Sequence, residues 1–95
     1  MIVEVIRYEI PADQATSFLS AYEAASQLLT QSDVCLGVET LRCQEESESF
    51  IVQIRWTSTD DHLKVFRTGP QFGQFFELVK PFYNRIKEMR HYDPV

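Results

Sequence analysis

The sequence predicts an α+β fold of the ferredoxin-like kind, with the helices on one face of an antiparallel sheet. Three observations lead to this prediction. Four segments show the period of two that is typical of strands. Two segments between them carry apolar stripes at helical spacing. The resulting order, β-α-β-β-α-β, is that of the split βαβ arrangement, and 95 residues suit one domain spanning residues 1–95.

The first strand is predicted at residues 2–10, where isoleucine recurs at every fourth position and β-branched residues are frequent. Pro11 ends it. Asp13 is the predicted N-cap of the first helix, since its carboxylate can accept free backbone N–H groups of the first turn. The apolar stripe of this helix consists of Ala15, Phe18, Leu19, Tyr22, Ala25 and Leu29. It covers one face for about four turns, which makes this the clearest helix of the chain.

The second and third strands are predicted at residues 34–43 and 49–57, and the charged stretch 45–48 between them is short enough for an antiparallel hairpin. The only two cysteines, Cys35 and Cys43, fall in the second strand. Within one strand they would be about 26 Å apart at ~3.3 Å per residue, far beyond the reach of a disulfide. We therefore expect both thiols to be reduced.

The second helical region is predicted to be broken. Ser58 and Asp61 resemble a capping box at the start of a short helix that runs through Arg67. Gly69-Pro70 interrupts it, and Pro70 suits the first turn of a new helix. The stripe of that helix consists of Phe72, Phe75, Phe76, Val79 and Phe82. The tail from Ile86 to Tyr92 alternates weakly and is the predicted fourth strand.

The sheet face that no helix covers is predicted to carry many apolar side chains. On the second strand, alternation places Cys35, Leu41 and Cys43 opposite Val34, Leu36 and Val38. Soluble monomers seldom expose a large apolar patch, so we expect a homodimer in which two sheets pack face to face. The same face also carries Arg7, Glu9, Glu39, Gln53 and Arg55. This mixed polarity favours a partly hydrated interface, or else a face polar enough to remain in water.

Composition disfavours several classes of partner. The formal net charge is −5, whereas nucleic-acid binding requires a basic surface. No apolar run approaches the about 18 residues of a membrane span. Residues 1–10 resemble a strand rather than a signal peptide, so we expect a cytoplasmic protein with no nucleic-acid or membrane partner. The chain also lacks the glycine-rich and nucleophile motifs of nucleotide-binding proteins and hydrolases.

Two sequence features resemble the antibiotic biosynthesis monooxygenase family of dimeric α+β barrels. One is Trp56, which ends the third strand directly before T-S-T-D-D. The other is the segment V-F-R-T-G-P-Q-F-G-Q-F-F from Val65. The resemblance covers nearly the whole chain. It implies a dimeric α+β barrel, and a monooxygenase that oxidises a small aromatic or quinone-like metabolite with O2 and no cofactor, metal or flavin.

Two other functions are compatible with the same resemblance: a non-catalytic dimeric module, binding or regulatory, that holds a small hydrophobic or aromatic ligand, and an isomerase-type relative. Many family members have a histidine just before the helix break and another after its proline, where this chain has Phe66 and Gln71. Haem-degrading members have an asparagine on the first strand and a tryptophan and a histidine on the later helices. The matching positions of this chain are near Ile6, Val65 and Phe75 or Phe76, and none of them fits. Haem degradation is therefore not expected.

The candidate catalytic residues are His62 and Trp56. His62 can act as a general base because histidine titrates near neutral pH. Trp56 can form a pocket wall and donate its indole N–H. The alternatives are a solvent-facing His62 beside two aspartates and a Trp56 that only packs in the core.

The candidate substrate-binding residues are mostly aromatic: Tyr22, Phe18, Phe66, Arg67, Phe72 and Phe76. The aromatic residues can line an apolar cavity, and Arg67 can stabilise an anion. The alternatives are a filled core and an ordinary surface arginine. His91 is expected on the surface of the tail strand. With no cluster of ligating residues in sequence around either histidine, no metal site is predicted.

Overall fold

The computed structural model describes all 95 residues, Met1–Val95, and has the predicted element order. The strands are β1 (Ile2–Glu9), β2 (Cys35–Arg42), β3 (Ser49–Trp56) and β4 (Ile86–Tyr92), and the α-helices are α1 (Ala15–Thr30) and α2 (Phe72–Val79). A π-helix spans Asp61–Phe66 and a 3-10 helix spans Lys80–Arg85. The sheet order is β2-β3-β1-β4, with every pair antiparallel. This confirms the α+β ferredoxin-like prediction.

The helices pack on one face of the sheet and bury an aromatic core. In β1 and β3 every second residue faces this core, as the alternating burial shows. From α1 the buried residues are Phe18, Tyr22, Ala25 and Leu29, four of the predicted stripe. The Phe18 ring lies within 5.4 Å, centroid to centroid, of the rings of Tyr8, Tyr22, Phe50 and Phe82. No helix combines the length and the apolar character needed to cross a membrane.

The predicted N-cap Asp13 is wrong. Asp13 lies inside a 3-10 turn, Ala12–Gln14, and α1 begins only at Ala15. Gln14 precedes the helix, and no side chain caps its first turn. The chain enters α1 through this turn, in which the Gln14 N–H donates to the Pro11 carbonyl at 2.9 Å. A tightened turn therefore takes the place of a side-chain cap.

The predicted alternation along β2 is wrong at its start, because a β-bulge lies between Cys35 and Gly37. Cys35 pairs with Trp56 and packs against the core. Val38 pairs with Ile54 and also packs against the core. Leu36 is the additional residue of the bulge, and it is 51% exposed. An inserted residue shifts the two-residue period by one, so Cys35 and Val38 share a face that strict alternation would not give them.

The capping box before the π-helix is only half formed. The Ser58 hydroxyl accepts the backbone N–H of Asp61 at 3.0 Å, as predicted. The Asp61 carboxylate instead accepts the hydroxyl of Thr57. The N–H of Arg67 bonds the carbonyl of His62, five residues earlier, which widens the turn into a π-helix. The break at Gly69-Pro70 and the helix after it follow the prediction.

Candidate functional site

A cavity of about 390 Å³ lies between the sheet and the second helical region. Twelve of its 15 lining residues are hydrophobic. The sheet contributes residues of β1, β3 and β4, and the opposite side comes mainly from the π-helix, α2 and the 3-10 helix, with Tyr22 from α1. The volume is at the lower end of the range of about 300–1,000 Å³ that is usual for ligand pockets. A small, largely apolar molecule fits this space.

Most of the predicted substrate-binding residues line this cavity. They are Tyr22, Phe66, Arg67, Phe72 and Phe76, and the predicted base His62 lines it as well. Phe18 does not, because its ring is fully buried behind Tyr22 and packs on Phe50. Trp56 is also fully buried and packs against Phe66 and His62, without lining the cavity.

A buried glutamate forms the polar part of the cavity wall. Glu4 lies on the core side of β1, flanked by Ile54 of β3 and His91 of β4, and it is only 2% exposed. The indole N–H of Trp56 donates to its Oε1 at 3.0 Å. A charged side chain at an interior strand position is costly unless it is partnered. This bond fixes one carboxylate oxygen, so Trp56 positions Glu4 rather than a ligand.

His62 is buried, at 4% exposed, and the solvent-facing alternative is wrong. The π-helix turns its imidazole onto the Trp56 indole, with ring centroids 4.4 Å apart and an interplanar angle of 12°. Its Nε2 lies 3.6 Å from Glu4 Oε1. Its Nδ1 lies 2.9 Å from Nε2 of His91. Both ring nitrogens therefore face polar partners, and the ring orientation is fixed.

His91 joins this group from β4, where it is opposite Glu4 in the strand register. His91 is exposed on the tail strand, as predicted, but its Nε2 is also in hydrogen-bond distance of His62 Nδ1, so it has more than a surface role. One ligating atom each of Glu4, His62 and His91 lies within 4.8 Å of the others. The premise that no ligating cluster surrounds the histidines is therefore also wrong. We refer to these three residues as the Glu4–His62–His91 cluster.

Burial controls the charge of the cluster. It raises the pKa of Glu4, against the opposing effects of the Trp56 hydrogen bond and the Arg67 charge. Burial lowers the pKa of His62 to about 3, and the positive charges of Arg67 and His91 act in the same direction. It also lowers the pKa of His91. Both imidazoles are therefore neutral at neutral pH.

The hydrogen-bond roles in the cluster follow from these charge states. When Glu4 is ionised, it accepts the Trp56 N–H and faces the Nε2 of His62, which then carries the ring proton. His62 Nδ1 is then an acceptor, so His91 Nε2–H is the donor at 2.9 Å. Glu4 Oε1 and His62 Nε2 are 3.6 Å apart, which is too long for a hydrogen bond. The direct hydrogen bonds of the cluster are therefore those from Trp56 to Glu4 and between the two histidines.

The far side of the cavity carries two phenols. The hydroxyls of Tyr8 and Tyr22 share a short hydrogen bond of 2.5 Å, and each side chain is 2% exposed. Burial raises the pKa of Tyr8 to about 12 and that of Tyr22 well above its ordinary value. Both phenols stay protonated at neutral pH, so one of the two hydroxyl hydrogens is free to donate. This end of the cavity suits a neutral acceptor such as a carbonyl.

Glu4 and His91 are the site residues that the sequence prediction missed. A signal for Glu4 was present, because in an alternating strand it points to the same side as Ile2, Ile6 and Tyr8. A charged residue on the apolar side of a strand indicates either an exposed strand end or a buried functional group. His91 gave no such signal, since its position opposite Glu4 depends on the pairing of the first strand with the last.

Known proteins match this chain in both sequence and structure. The family model "Antibiotic biosynthesis monooxygenase" matches residues 1–78. The uncharacterised protein YczJ of Bacillus subtilis (strain 168) is 20% identical over 95 residues, which is 100% of both chains.

Solved structures share the fold at low sequence identity. A Bordetella bronchiseptica protein assigned to the antibiotic biosynthesis monooxygenases superposes with a TM-score of 0.79 at 22% identity, covering 99% of this chain and 96% of that one. SnoaB, a cofactor-independent oxygenase from Streptomyces nogalater, superposes with a TM-score of 0.78 at 15% identity, covering 98% and 91%. With the family model spanning most of its residues, the chain belongs to the antibiotic biosynthesis monooxygenase family.

Proposed function

We propose that this protein is a monooxygenase that oxidises a small aromatic or quinone-like metabolite with O2, without a metal or flavin in the reaction. The observation that carries the proposal is the composition of the cavity wall. Aromatic side chains surround a space of about 390 Å³, and a buried carboxylate with a neutral imidazole forms its polar part. Family membership supports the same chemistry. SnoaB, described as a cofactor-independent oxygenase, has the same fold.

The reaction needs no external reductant if the substrate supplies all electrons. For an activated methylene between two phenolic rings, one methylene group and one O2 molecule give one carbonyl group and one water molecule. A base removes one methylene proton, and the delocalised carbanion then transfers an electron to O2. The radical pair combines to a peroxide, which loses water to give the carbonyl. The protein has to provide the base, a stabiliser for the anion and a water-poor site.

The residues around the cavity can fill these roles. Glu4 faces the cavity and can accept the substrate proton, because burial raises its pKa. The neutral His62 lies 3.6 Å from it in the same wall and helps to enclose the carboxylate. Trp56 acts as a positioning residue, since its indole N–H is bonded to Glu4. Arg67 is an exposed residue that also lines the cavity, and its positive charge can stabilise the carbanion and the peroxide. The Tyr8–Tyr22 pair can donate to a substrate carbonyl.

An oxygen electrode tests the proposal with a panel of anthrones, naphthols and quinols. We expect wild-type protein to consume one O2 per substrate converted. Glu4→Gln should lower the rate by about 100-fold or more, the usual contribution of general-base catalysis, and His62→Ala, which removes the ring beside Glu4, should lower it as well. Glu77→Gln, an exposed glutamate of α2 outside this cavity, is the matched control and should keep the wild-type rate.

Saturable binding without O2 consumption by any panel member would contradict the proposal. That outcome would instead support the non-catalytic ligand-binding module. Conversion of a substrate to an isomer of equal mass, with no O2 uptake, would support an isomerase. Mass spectrometry of the product distinguishes these results, because oxygenation of a methylene adds one oxygen atom and removes two hydrogen atoms.

We also propose that a second copy of the chain covers the open face of the sheet. Strand register places Val3, Val5, Leu41 and Ile51 on this face, interspersed with Arg7, Arg55, Arg90, Glu39 and Glu88. Arginines and glutamates on one face can pair with each other across a two-fold axis, so the face is complementary to itself. The Tyr92 hydroxyl donates to Glu88 at its edge.

Sedimentation at micromolar concentration tests the dimer. We expect twice the chain mass for wild type and a shift to monomer for Val5→Lys, which places a charge in the centre of the open face. The control is Leu19→Lys on the exposed side of α1, which should remain dimeric. A folded wild-type monomer at micromolar concentration would contradict the proposal.

A further inference from the structure

Both histidines of the chain meet at the same buried carboxylate. The chain has only two histidines, and they come from the π-helix and from β4, while Glu4 comes from β1. From this convergence we infer that Glu4, His62 and His91 form a binding site for one divalent transition-metal ion. The inference concerns binding alone, so it holds or fails independently of the proposed oxygenation.

The distances suit a metal site after a small adjustment. His62 Nδ1 and His91 Nε2 are 2.9 Å apart. Two cis ligands at about 2.1 Å from a metal ion are separated by about 3.0–3.4 Å. The ligating atoms of all three residues lie within 4.8 Å of one another. Glu4 Oε1 lies 3.6 Å from the other ring nitrogen of His62, Nε2, so its carboxylate has to turn toward the Nδ1 side of the ring to reach an ion held by the two histidines.

The buried negative charge of the Glu4 carboxylate favours a bound cation. Glu4 is 2% exposed, and within 4 Å its carboxylate has no lysine or arginine, only the His62 ring. Its direct hydrogen bond is the one from Trp56. A buried carboxylate without a counter-charge is costly. A divalent cation between Glu4 and the two imidazoles would supply that charge.

The donor set selects the class of metal. Two imidazole nitrogens and one carboxylate oxygen suit Zn²⁺, Co²⁺, Ni²⁺, Cu²⁺ or Fe²⁺, whereas Mg²⁺ and Ca²⁺ prefer oxygen ligands alone. Glu4 and His62 both line the cavity. Remaining coordination positions can therefore face the cavity and accept an oxygen atom of an enolate, phenolate or catecholate. Arg67 also lines the cavity, and its charge weakens metal binding while favouring such an anion.

Metal binding and the proposed proton transfer exclude each other. A metal-bound Glu4 and His62 have no free lone pair for the substrate proton. We therefore expect bound Zn²⁺ to inhibit the metal-free oxygenation, and a chelator to restore it. This consequence is the only part of the inference that rests on the proposed function.

Titration of tag-free, chelator-treated protein with Co²⁺ tests the site directly. We expect a visible d–d absorption band that saturates at one Co²⁺ per chain, with a Kd below about 10 µM. Calorimetry with Zn²⁺ should give the same stoichiometry. His91→Gln should weaken both affinities at least about 10-fold, as expected for loss of a ligand. Because His91 lies at the partly exposed end of the cluster, we expect this variant to fold, and its far-ultraviolet spectrum and melting curve establish that it does.

Two controls exclude other ligands. Glu77→Gln changes an exposed acidic residue of α2 that does not line the cavity and should leave Co²⁺ binding unchanged. The double variant Cys35→Ser, Cys43→Ser removes the two free thiols and should also bind normally. The inference is overturned if wild type shows no saturable Co²⁺ or Zn²⁺ binding, or if His91→Gln binds as tightly as wild type. Loss of binding in the cysteine variant would likewise assign the metal elsewhere and overturn it.

Discussion

The helix-covered face of the sheet has two halves that differ in how they are filled. We call them the packed half, under α1, and the open half, which contains the cavity. In the packed half, one continuous 16-residue helix covers the sheet, and its Phe18 ring packs against the rings of Phe50 and Phe82. In the open half, three short segments cover most of the sheet and line the cavity: the π-helix, the eight-residue α2 and the 3-10 helix.

This difference shows how similar composition can produce both a core and a site. Both halves are rich in phenylalanine, yet only the open half leaves a space of about 390 Å³. A regular helix brings a full stripe of side chains against the sheet. Three short segments, of which only α2 is a regular α-helix, bring fewer side chains to the sheet, and they admit buried polar residues such as His62. The predictions below test this contrast.

The largest effect is expected from removing an aromatic ring of the packed half. Phe18→Ala should lower the free energy of unfolding by about 3–5 kcal/mol, the usual cost of a large cavity in a packed core. Phe76→Ala removes the same side chain from the half-buried cavity wall and should cost only about 1 kcal/mol. Urea denaturation measures both. Equal losses would show that the two halves are packed alike.

The next effect concerns the buried charge of the open half. Because burial raises the pKa of Glu4, the folded state binds its proton more tightly than the unfolded state does. The stability associated with this proton is present below the ordinary pKa of 4.5 and is lost as the pH rises through the folded-state value. As the pH rises, the free energy of unfolding of the wild type should therefore fall relative to that of Glu4→Gln, by about 1.4 kcal/mol for each unit of pKa shift.

Chemical denaturation of both proteins between acidic and neutral pH measures this difference. The glutamine keeps an oxygen acceptor for the Trp56 N–H, so the comparison isolates the charge. If the stability gap is the same at every pH, Glu4 is not shifted in the direction stated here.

A smaller effect is expected at the start of the π-helix. Ser58→Ala removes the hydroxyl that accepts the Asp61 N–H and should cost about 1 kcal/mol of stability. His62 comes directly after Asp61 and lines the cavity, so loss of this hydrogen bond should also lower the affinity of the cavity for a ligand. Thr59→Ala, which removes a neighbouring hydroxyl that is half-buried like that of Ser58, serves as the control. Similar losses in both variants would remove any special role of the Ser58 cap.

The smallest effect is a gain. A methyl group added at Gly73 in α2 meets no atom within 4 Å, so Gly73→Ala should stabilise the protein by about 0.5–1 kcal/mol by restricting the unfolded chain. It should leave the cavity unchanged, because Gly73 does not line it. At Gly37 the backbone φ is +158°, a conformation in which a side chain is strained, and an added methyl group would also displace the flexible end of Arg55. Gly37→Ala should therefore destabilise the protein in the same thermal melt.

Local sequence signals predicted most of the fold. Alternation and helical stripes gave the element order, and the break at Gly69-Pro70 followed from the residues themselves. The bulge at Leu36 was not predictable, because an inserted residue leaves no trace in a short alternating run. The absent cap at Asp13 reflects a 3-10 entry turn that competes with side-chain capping.

The candidate site was harder to predict than the fold, because it joins distant parts of the chain. Helical spacing identified the aromatic wall residues Phe66, Phe72 and Phe76. The contact between His62 and His91 depends on the register of β1 with β4, which is non-local. The position of Phe18 behind the wall depends on how closely α1 approaches the sheet. Neither property is encoded in local periodicity.

The central claim is that the open half binds a small aromatic molecule beside the Glu4–His62–His91 cluster. Trp56 is the only tryptophan, and it touches the cluster through its hydrogen bond to Glu4 and its stacking on His62. The most direct measurement is therefore an anaerobic titration with 1,8-dihydroxyanthrone followed by Trp56 fluorescence. We predict saturable quenching at one ligand per chain, weakened by Phe76→Ala. Fluorescence that does not saturate, or quenching unchanged in Phe76→Ala, would contradict the account.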